Sequence, residues 1–470
     1  MSSGMKELFD NIKDSISRIN TYFGFSTAKD SALIILLYAY FTENEKKFRN
    51  KLGKEYLGDE IYDTPRLIAN RFSLLSEWLK INHKDLFEVF DDSFRNITSY
   101  AAKSRENSSC FGSLIEYTRI FQKKVNNYNE NSLVYLFDNY LKLFSELGWK
   151  NSGESFTPRS IVRLIIRLSP PKRNGVVFDP VCGSGGFLSE ALKYSQANYP
   201  DNERPIVYGI DRNLEAVKLA KVNLILNGIR SSNIEHDNFI INSIMSNKQN
   251  AYIKYDSIYA NPPFSVKDWI GKNYLKEFGE VFKYGLPPLQ YGDYAFIELV
   301  LSHLKENGIA VMLSSEGILF RSGQEREIRK NLLQAGCIDS VIKLPPNLLP
   351  DTKIPVIILL LRSPTIEKNV FIFNAENYYT KINNRTTLTS EDINVICEVF
   401  DLRKDIKNMS KNISLKDIEN NDFNLSVLRY IENVIPENSL TLVELNNNQE
   451  EFYKELTDIR AERKKYFNDF

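Results

Sequence analysis

Apolar positions in the first third of the chain recur every three to four residues. Leu8, Ile12, Ile16 and Ile19 fall on one helical stripe, and Leu133–Leu147 repeats the pattern. Glycine is sparse there and no alternation of apolar and polar positions persists, so residues 1–150 are predicted to form a helical domain. The basic residues Lys46, Lys47, Arg49, Lys51 and Lys54 read as a solvated face rather than a phosphate track. Thr157 as N-cap and Pro158 as first helical residue open a helix running to Leu168, with Ile161, Leu164, Ile165 and Leu168 as its stripe.

From residue 175 the pattern changes to short apolar runs, most of them followed by a helical stretch. Gly175–Asp179, Ile206–Asp211, a short run near Asn233–Asp237 and Asp256–Ala260 are predicted strands. Each delivers a chemically suggestive residue at its C-terminal end, where open α/β sheets bind ligands. Helices over Leu188–Gln196, up to Asn227, over Tyr291–Lys305 and over Gly323–Ala335 alternate with strands at Ile309–Leu313, Cys337–Leu344 and Val356–Leu361. The last two strands suit an antiparallel pair. Ser265–Gln290 is a polar, glycine-containing excursion that reads as an active-site loop. Beyond Pro364 a strand at Asn369–Phe373 leads through polar segments to a charged helix at about Gln449–Phe467. Phe452, Leu456, Ile459 and Tyr466 form one narrow stripe on it, suited to a partner helix or to docking on the chain itself.

Composition narrows the function classes. A chain of 470 residues suggests two or three domains, and 43% hydrophobic with 26% charged residues is an ordinary globular balance. Lys+Arg and Asp+Glu are both 60, so nucleic-acid contact must come from local patches or from a partner. Cys110, Cys182, Cys337 and Cys397 are scattered and the three histidines lie far apart, which argues against a zinc site or a disulfide framework and fits a reducing cytoplasm. The N-terminus has no secretory pattern, and the longest apolar run, Ala32–Phe41, is shorter than the ~18 residues a spanning helix needs. That run reads as a buried core helix, with no membrane association.

Two stretches carry chemistry. After the strand ending in Asp179 comes Pro180-Val181-Cys182-Gly183-Ser184-Gly185-Gly186-Phe187 and then a helix, the opening of a nucleotide-binding α/β fold. The Gly-Lys-Ser/Thr ending of a phosphate loop is missing, and Asp179 beside the turn repels phosphates but suits a cationic amino-acid group. Asp211 is placed to accept from both hydroxyls of a ribose, while Asp237, Asn238 and Phe239 border an adenine; the alternative for Asp237 is a turn cap. The second stretch is Ala260-Asn261-Pro262-Pro263-Phe264. Its prolines donate no N–H and fix φ, so the segment is stiff and rich in bare carbonyls. The Asn261 side-chain oxygen and the Pro262 carbonyl are two acceptors for one NH2 group, and Phe264 adds a flat apolar face. That set suits an exocyclic amine on a flat heterocycle; the plainer alternative is a strand-to-loop turn.

Together, Asp179–Leu188, Ala260–Ser265 and the Gly153-Glu154-Ser155-Phe156-Thr157-Pro158 stretch resemble the motifs of N6-adenine DNA methyltransferases, and most closely those of the modification (M) subunits of type I restriction–modification systems. The likeness continues through Gly292–Phe296, Glu316–Arg321, Ile342–Pro346 and Leu425…Arg429-Tyr430; Ser155 departs from it, standing where the family usually has an aromatic. The resemblance implies an α/β, Rossmann-like class I S-adenosylmethionine-dependent methyltransferase sheet at residues 151–364. It also implies an N-terminal helical domain (1–150) for DNA or subunit contacts and a C-terminal extension (365–470) ending in a partner-binding helix. S-adenosyl-L-methionine is the implied methyl donor and adenine N6 in double-stranded DNA the acceptor. Asp179, Pro180 and the turn Cys182, Gly183, Ser184, Gly185, Gly186, Phe187 would hold the methionine moiety, with Gly153 to Pro158 closing over it. Asp211 would bind the ribose, Asp237 and Phe239 the adenine, and Asn261, Pro262, Pro263 and Phe264 the target base. No metal is implied. With no basic reading domain in the chain, the implied partners are a specificity (S) subunit, a second M subunit and a restriction (R) subunit. Competing readings are a stand-alone adenine methylase, a protein-glutamine or RNA methyltransferase, and a catalytically idle scaffold.

Overall fold

The most apolar helix, Phe25–Asn44, is buried on every side: Leu33, Ile34, Ile35, Leu36 and Leu37 are all at most 1% exposed. A helix with no polar face belongs in the middle of a bundle. The helices Ser3–Phe23, Pro65–Asn82, Lys84–Lys103, Arg105–Val125 and Ser132–Leu147 surround it with amphipathic stripes. The computed structural model describes residues 3–52, 64–125, 132–147, 156–229, 233–248, 253–271, 281–349, 354–382 and 385–431. Among them no helix is long and apolar enough to cross a membrane. The terminal helix expected at about Gln449–Phe467, and Gly153, Glu154 and Ser155, lie outside the described residues.

A nine-stranded sheet follows. In chain order its strands are β1 (Val176–Asp179), β2 (Ile206–Asp211), β3 (Ile234–His236), β4 (Tyr255–Ala260), β5 (Leu304–Ser315), β6 (Ile338–Lys343), β7 (Val356–Arg362), β8 (Val370–Asn374) and, after the separate hairpin β9 (Thr380–Ile382) and β10 (Arg385–Thr387), β11 (Ser410–Ile413). The spatial order is β11-β8-β6-β7-β5-β4-β1-β2-β3. β7 runs antiparallel to β5 and β6, and β11 antiparallel to β8; every other pairing is parallel. The predicted antiparallel pair is therefore β6 and β7. Strands buried on both faces read as continuous apolar runs, which is why the internal strands β7 and β8 are so apolar.

Three expectations are corrected. The sheet does not stop near residue 364, because β8 pairs with β6 and β11 with β8. All five β8 positions are buried, as an internal strand requires. The helix expected over Tyr291–Lys305 spans Asp293–Ser302, and β5 begins at once at Leu304. The helix Arg159–Leu168 has Pro158 as its N-cap with no side-chain cap, so the Thr157 hydroxyl is not spent on the helix end.

The hydrophobic core of the helical domain takes in one helix of the α/β part. Leu219, Val222, Ile225 and Leu226, from the helix Leu214–Leu226 that follows β2, pack with the N-terminal helices. Ion pairs fix the same seam: Lys218 Nζ lies 2.7 Å from Asp30 Oδ2 in a buried pair, and Lys221 Nζ lies 2.9 Å from Oδ2 of the half-buried Asp85. Removing one partner of the buried pair costs about 3–5 kcal/mol, so these contacts lock relative placement more than they add net stability.

Candidate active site

β1 is paired on one side with β2 and on the other with β4, and the connections leave in opposite directions, which opens a crevice at the carboxyl ends of β1 and β4. Asp179 ends β1 and is 1% exposed. Its Oδ1 accepts from the Val181 N–H at 3.1 Å. Burial raises its carboxyl well above the ordinary range, and the Asp211 charge pushes the same way. A cationic group at this carboxylate offsets both effects.

The turn after β1 is drawn onto β2. Cys182 N–H donates to the Ile210 carbonyl at 2.9 Å, and Gly183 N–H donates to Asp211 Oδ2 at 2.9 Å. Gly183 (φ 52°) and Gly185 (φ 73°) both occupy the left-handed region, but for different ends. A Cβ on Gly185 would come within 3.2 Å of the Ala220 backbone, so this glycine seats the turn on the helix Leu214–Leu226. A Cβ on Gly183 would stand in open space, so this glycine leaves a cradle above the turn. Cys182 is buried, with its thiol pushed well up by burial and then by Asp179, which makes it a packing residue.

Asp211 Oδ1 accepts from Asn213 N–H at 2.9 Å, so each oxygen of this carboxylate is oriented by one backbone donor and keeps further lone pairs for hydroxyl donors. Asp237 is turned toward its own helix: Oδ1 accepts from Asn238 N–H and Oδ2 from the Asn242 side chain at 2.7 Å. Phe239 and Phe187 do not reach a free surface. Phe239 is 4% exposed and lies 5.9 Å from the Phe178 ring and 5.6 Å from His303; Phe187 stacks on Tyr259 at 6.3 Å. Both rings back the crevice from its core. Phe156, partly buried, packs against the N-terminal helical core.

At the end of β4, Asn261 Nδ2 donates to Thr157 Oγ1 at 2.9 Å. With the amide nitrogen on this hydroxyl, Oδ1 is the end of the amide left to accept, and the contact anchors the amide beside the end of β4. Pro262 is buried, Pro263 is exposed and Phe264 is half-buried. Behind them, the Tyr259 hydroxyl donates to the Ser169 carbonyl, anchoring β4 to the end of the helix Arg159–Leu168. Three side chains outside the expected set organise the next residue. Ser265, with φ 53°, donates its N–H to Asp293 Oδ1 at 3.1 Å. Arg321 reaches Asp293 and Ser265, and Tyr291 lies under the Arg321 guanidinium at 4.4 Å from the ring centroid. Asp293 and Arg321 lie in the Gly292–Phe296 and Glu316–Arg321 stretches singled out by resemblance, while Tyr291 was marked only as the start of a predicted helix. The described members of the expected set thus gather at one sheet edge, with Phe187 and Phe239 behind it.

The N-6 DNA methylase family model matches residues 130–438. Among curated relatives, the chain is 31% identical over 326 residues to the type I restriction enzyme MjaVIII methylase subunit of Methanocaldococcus jannaschii, covering 66% of this chain and 54% of that one. It is 30% identical over 308 residues to the type I restriction enzyme HindI methylase subunit of Haemophilus influenzae, covering 64% and 68%. The chain spans about half the length of the M. jannaschii relative. In fold it is similar to the crystal structure of a type I restriction-modification system methyltransferase subunit from Streptococcus thermophilus, with a TM-score of 0.70 at 22% identity over 91% of this chain and 100% of that one. The expected class I methyltransferase architecture with an N-terminal helical region is therefore the observed one. On a family match that spans well over half its residues, the chain belongs to the N-6 DNA methylase family.

Proposed function

We propose that this chain transfers a methyl group to the N6 amine of adenine in double-stranded DNA, as the modification subunit of a type I restriction–modification complex. The observation that carries the reading is the Thr157–Asn261 hydrogen bond, which aims an acceptor oxygen out of the β4 end, beside the glycine turn. S-adenosyl-L-methionine, when bound, supplies an electrophilic methyl group on a sulfonium. Asp179, Pro180 and residues 182–186 hold its amino-acid end, the cradle over Gly183 accommodates it, Asp211 takes the ribose, and Asp237 borders the adenine. Thr157 and Pro158 complete the enclosure.

The target base leaves the duplex at a cost of a few kcal/mol. Stacking on Phe264 returns about 1–3 kcal/mol of that. Asn261 Oδ1 and the Pro262 carbonyl accept the two amine N–H bonds, which draws the nitrogen lone pair out of the ring system and directs it along one line. Neither acceptor is basic enough to keep a proton, so the proton released at N6 passes to water. Positioning and preorganised dipoles carry the rate enhancement.

Sequence reading belongs to a separate specificity subunit, a reading supported by the balanced charge of this chain, which leaves nucleic-acid contact to local patches or to a partner. The C-terminal extension, 365–470, supplies the grip on that subunit; a second modification subunit and a restriction subunit complete the assembly, in a prokaryotic cytoplasm. The reading is tested with Asn261→Ala in the partner-complete complex. Methyl transfer to DNA is lost while S-adenosylmethionine binding, followed by calorimetry, stays intact. Retained transfer removes Asn261 from the reaction and the proposal with it.

A further inference from the structure

We propose that Arg321 is the positioning residue of the base-binding turn, and that Tyr291, the ring it braces, is a DNA-contacting aromatic at the mouth of that turn. The inference rests on the reading of the chain as a DNA adenine methyltransferase. Arg321 is 19% exposed. Its Nη1 donates to Asp293 Oδ2 at 3.3 Å and to both Glu325 oxygens at 2.9 and 3.1 Å. Its Nη2 donates to Ser265 Oγ at 3.3 Å and to Ser315 Oγ at 3.1 Å. One planar fork thus ties the residue after Phe264 to the end of β5 and to the start of the helix Asp293–Ser302. A lysine ammonium has neither the reach nor the fixed geometry for this.

The same hub presents Tyr291. Gly292 N–H donates to the Val266 carbonyl at 2.9 Å and Asp268 N–H to the Leu289 carbonyl at 2.8 Å, so Tyr291 stands directly across from the residues that follow Phe264. Its ring is 39% exposed, yet the guanidinium lies over it at 4.4 Å. An exposed ring held from behind by a cation is preorganised for a flat partner, and nucleobases bring a π-face whatever their sequence. Gly317 completes the seat: a Cβ there would come within 2.7 Å of Arg321 Nε and 2.8 Å of Nη2. Those atoms are the mobile end of a side chain, so Gly317→Ala moves the guanidinium and spares the backbone.

The test uses the full chain assembled with its specificity subunit, on DNA carrying 2-aminopurine in place of the target adenine to report flipping and, since that base has no N6 amine, on unmodified DNA to report methylation. Gly317→Ala and Arg321→Lys are expected to lower both the flipping signal and the single-turnover methylation rate about tenfold or more, the scale of a small misplacement beside reacting atoms. S-adenosylmethionine affinity and the unfolding midpoint of Gly317→Ala stay at wild-type values. Tyr291→Ala is expected to raise KM for DNA about tenfold, and Tyr291→Phe to restore it. Wild-type methylation and flipping that persist in both Gly317→Ala and Tyr291→Ala overturn the proposal. A Tyr291→Phe complex as weak as Tyr291→Ala overturns the role of the ring. A wild-type complex that binds S-adenosylmethionine but methylates no DNA overturns the underlying reading instead.

Discussion

Thr157→Val tests the anchoring of the Asn261 amide most sharply, because valine keeps the branched shape and removes the hydroxyl. The lost contact is the 2.9 Å bond from Asn261 Nδ2. A neutral hydrogen bond of this kind contributes about 0.5–1.5 kcal/mol net to holding the Asn261 amide in place. With 1.36 kcal/mol per decade, the single-turnover rate falls about 2- to 13-fold if the bond is fully realised in the transition state. Thr157 also belongs to the proposed cofactor enclosure, so the assay is single-turnover methyl transfer at saturating S-adenosylmethionine, which separates rate from binding. Thr157→Ser keeps the acceptor and recovers most of the rate. A valine variant as fast as wild type at saturation, or a serine variant as slow as valine, refutes the anchoring role.

Further tests address other parts of the molecule. Asp211→Asn weakens S-adenosylmethionine binding by about tenfold or more, measured by calorimetry, because the charged acceptor that also holds the Gly183 and Asn213 N–H groups becomes half donor. Arg329 is 1% exposed and donates to the carbonyls of Phe423 at 2.6 Å, Ile318 at 2.9 Å and Arg321 at 3.1 Å; Ile318 keeps the Tyr294 hydroxyl at 2.8 Å, so Arg329→Met strands the other two carbonyls and lowers stability by at least about 2 kcal/mol in urea unfolding. Burial pushes the Glu298 carboxyl from 4.5 up to about 8, against the pull of the Tyr284 N–H at 2.9 Å, so its share of stability is complete below pH 4.5 and is lost as pH rises toward 8. Burial pushes His303 from 6.5 down to about 4, and its share is lost only as pH falls below 6.5. Between pH 6.5 and 8 the carboxyl is the one of the two that acts. The unfolding midpoint drops across that window and Glu298→Gln flattens the profile; a wild-type profile already flat there contradicts the assignment.

What could be read from the sequence was the local part of the fold. Short apolar runs and period-3.6 patterns placed β1, β2, β4 and the helices between them to within a few residues, and turn chemistry marked Gly183 and Gly185. Strand ends then put Asp179, Asp211 and Asn261 on one sheet edge without knowledge of any contact. What escaped depends on pairing between distant segments. The Thr157–Asn261 bond joins residues 104 apart in the chain, and the Arg321–Ser265 bond residues 56 apart. Helix-cap preference assigned the Thr157 hydroxyl to its own helix, and the tertiary contact won. The strand at Val370–Asn374 was visible as a strand, but nothing local says that its neighbour is β6, so the sheet was expected to end too early. Phe239 sits beside the suspected pocket in sequence, while its ring faces Phe178 and His303 inside.

The most direct measurement is methyl transfer from labelled S-adenosylmethionine to unmethylated DNA by this chain, alone and with a co-expressed specificity subunit, with the product digested to nucleosides. Label in N6-methyladenine at defined sites, appearing only when the specificity subunit is present, is the predicted result. Site-specific label without that subunit contradicts the subunit assignment, and absence of label in DNA under both conditions, with S-adenosylmethionine bound, contradicts the DNA reading itself.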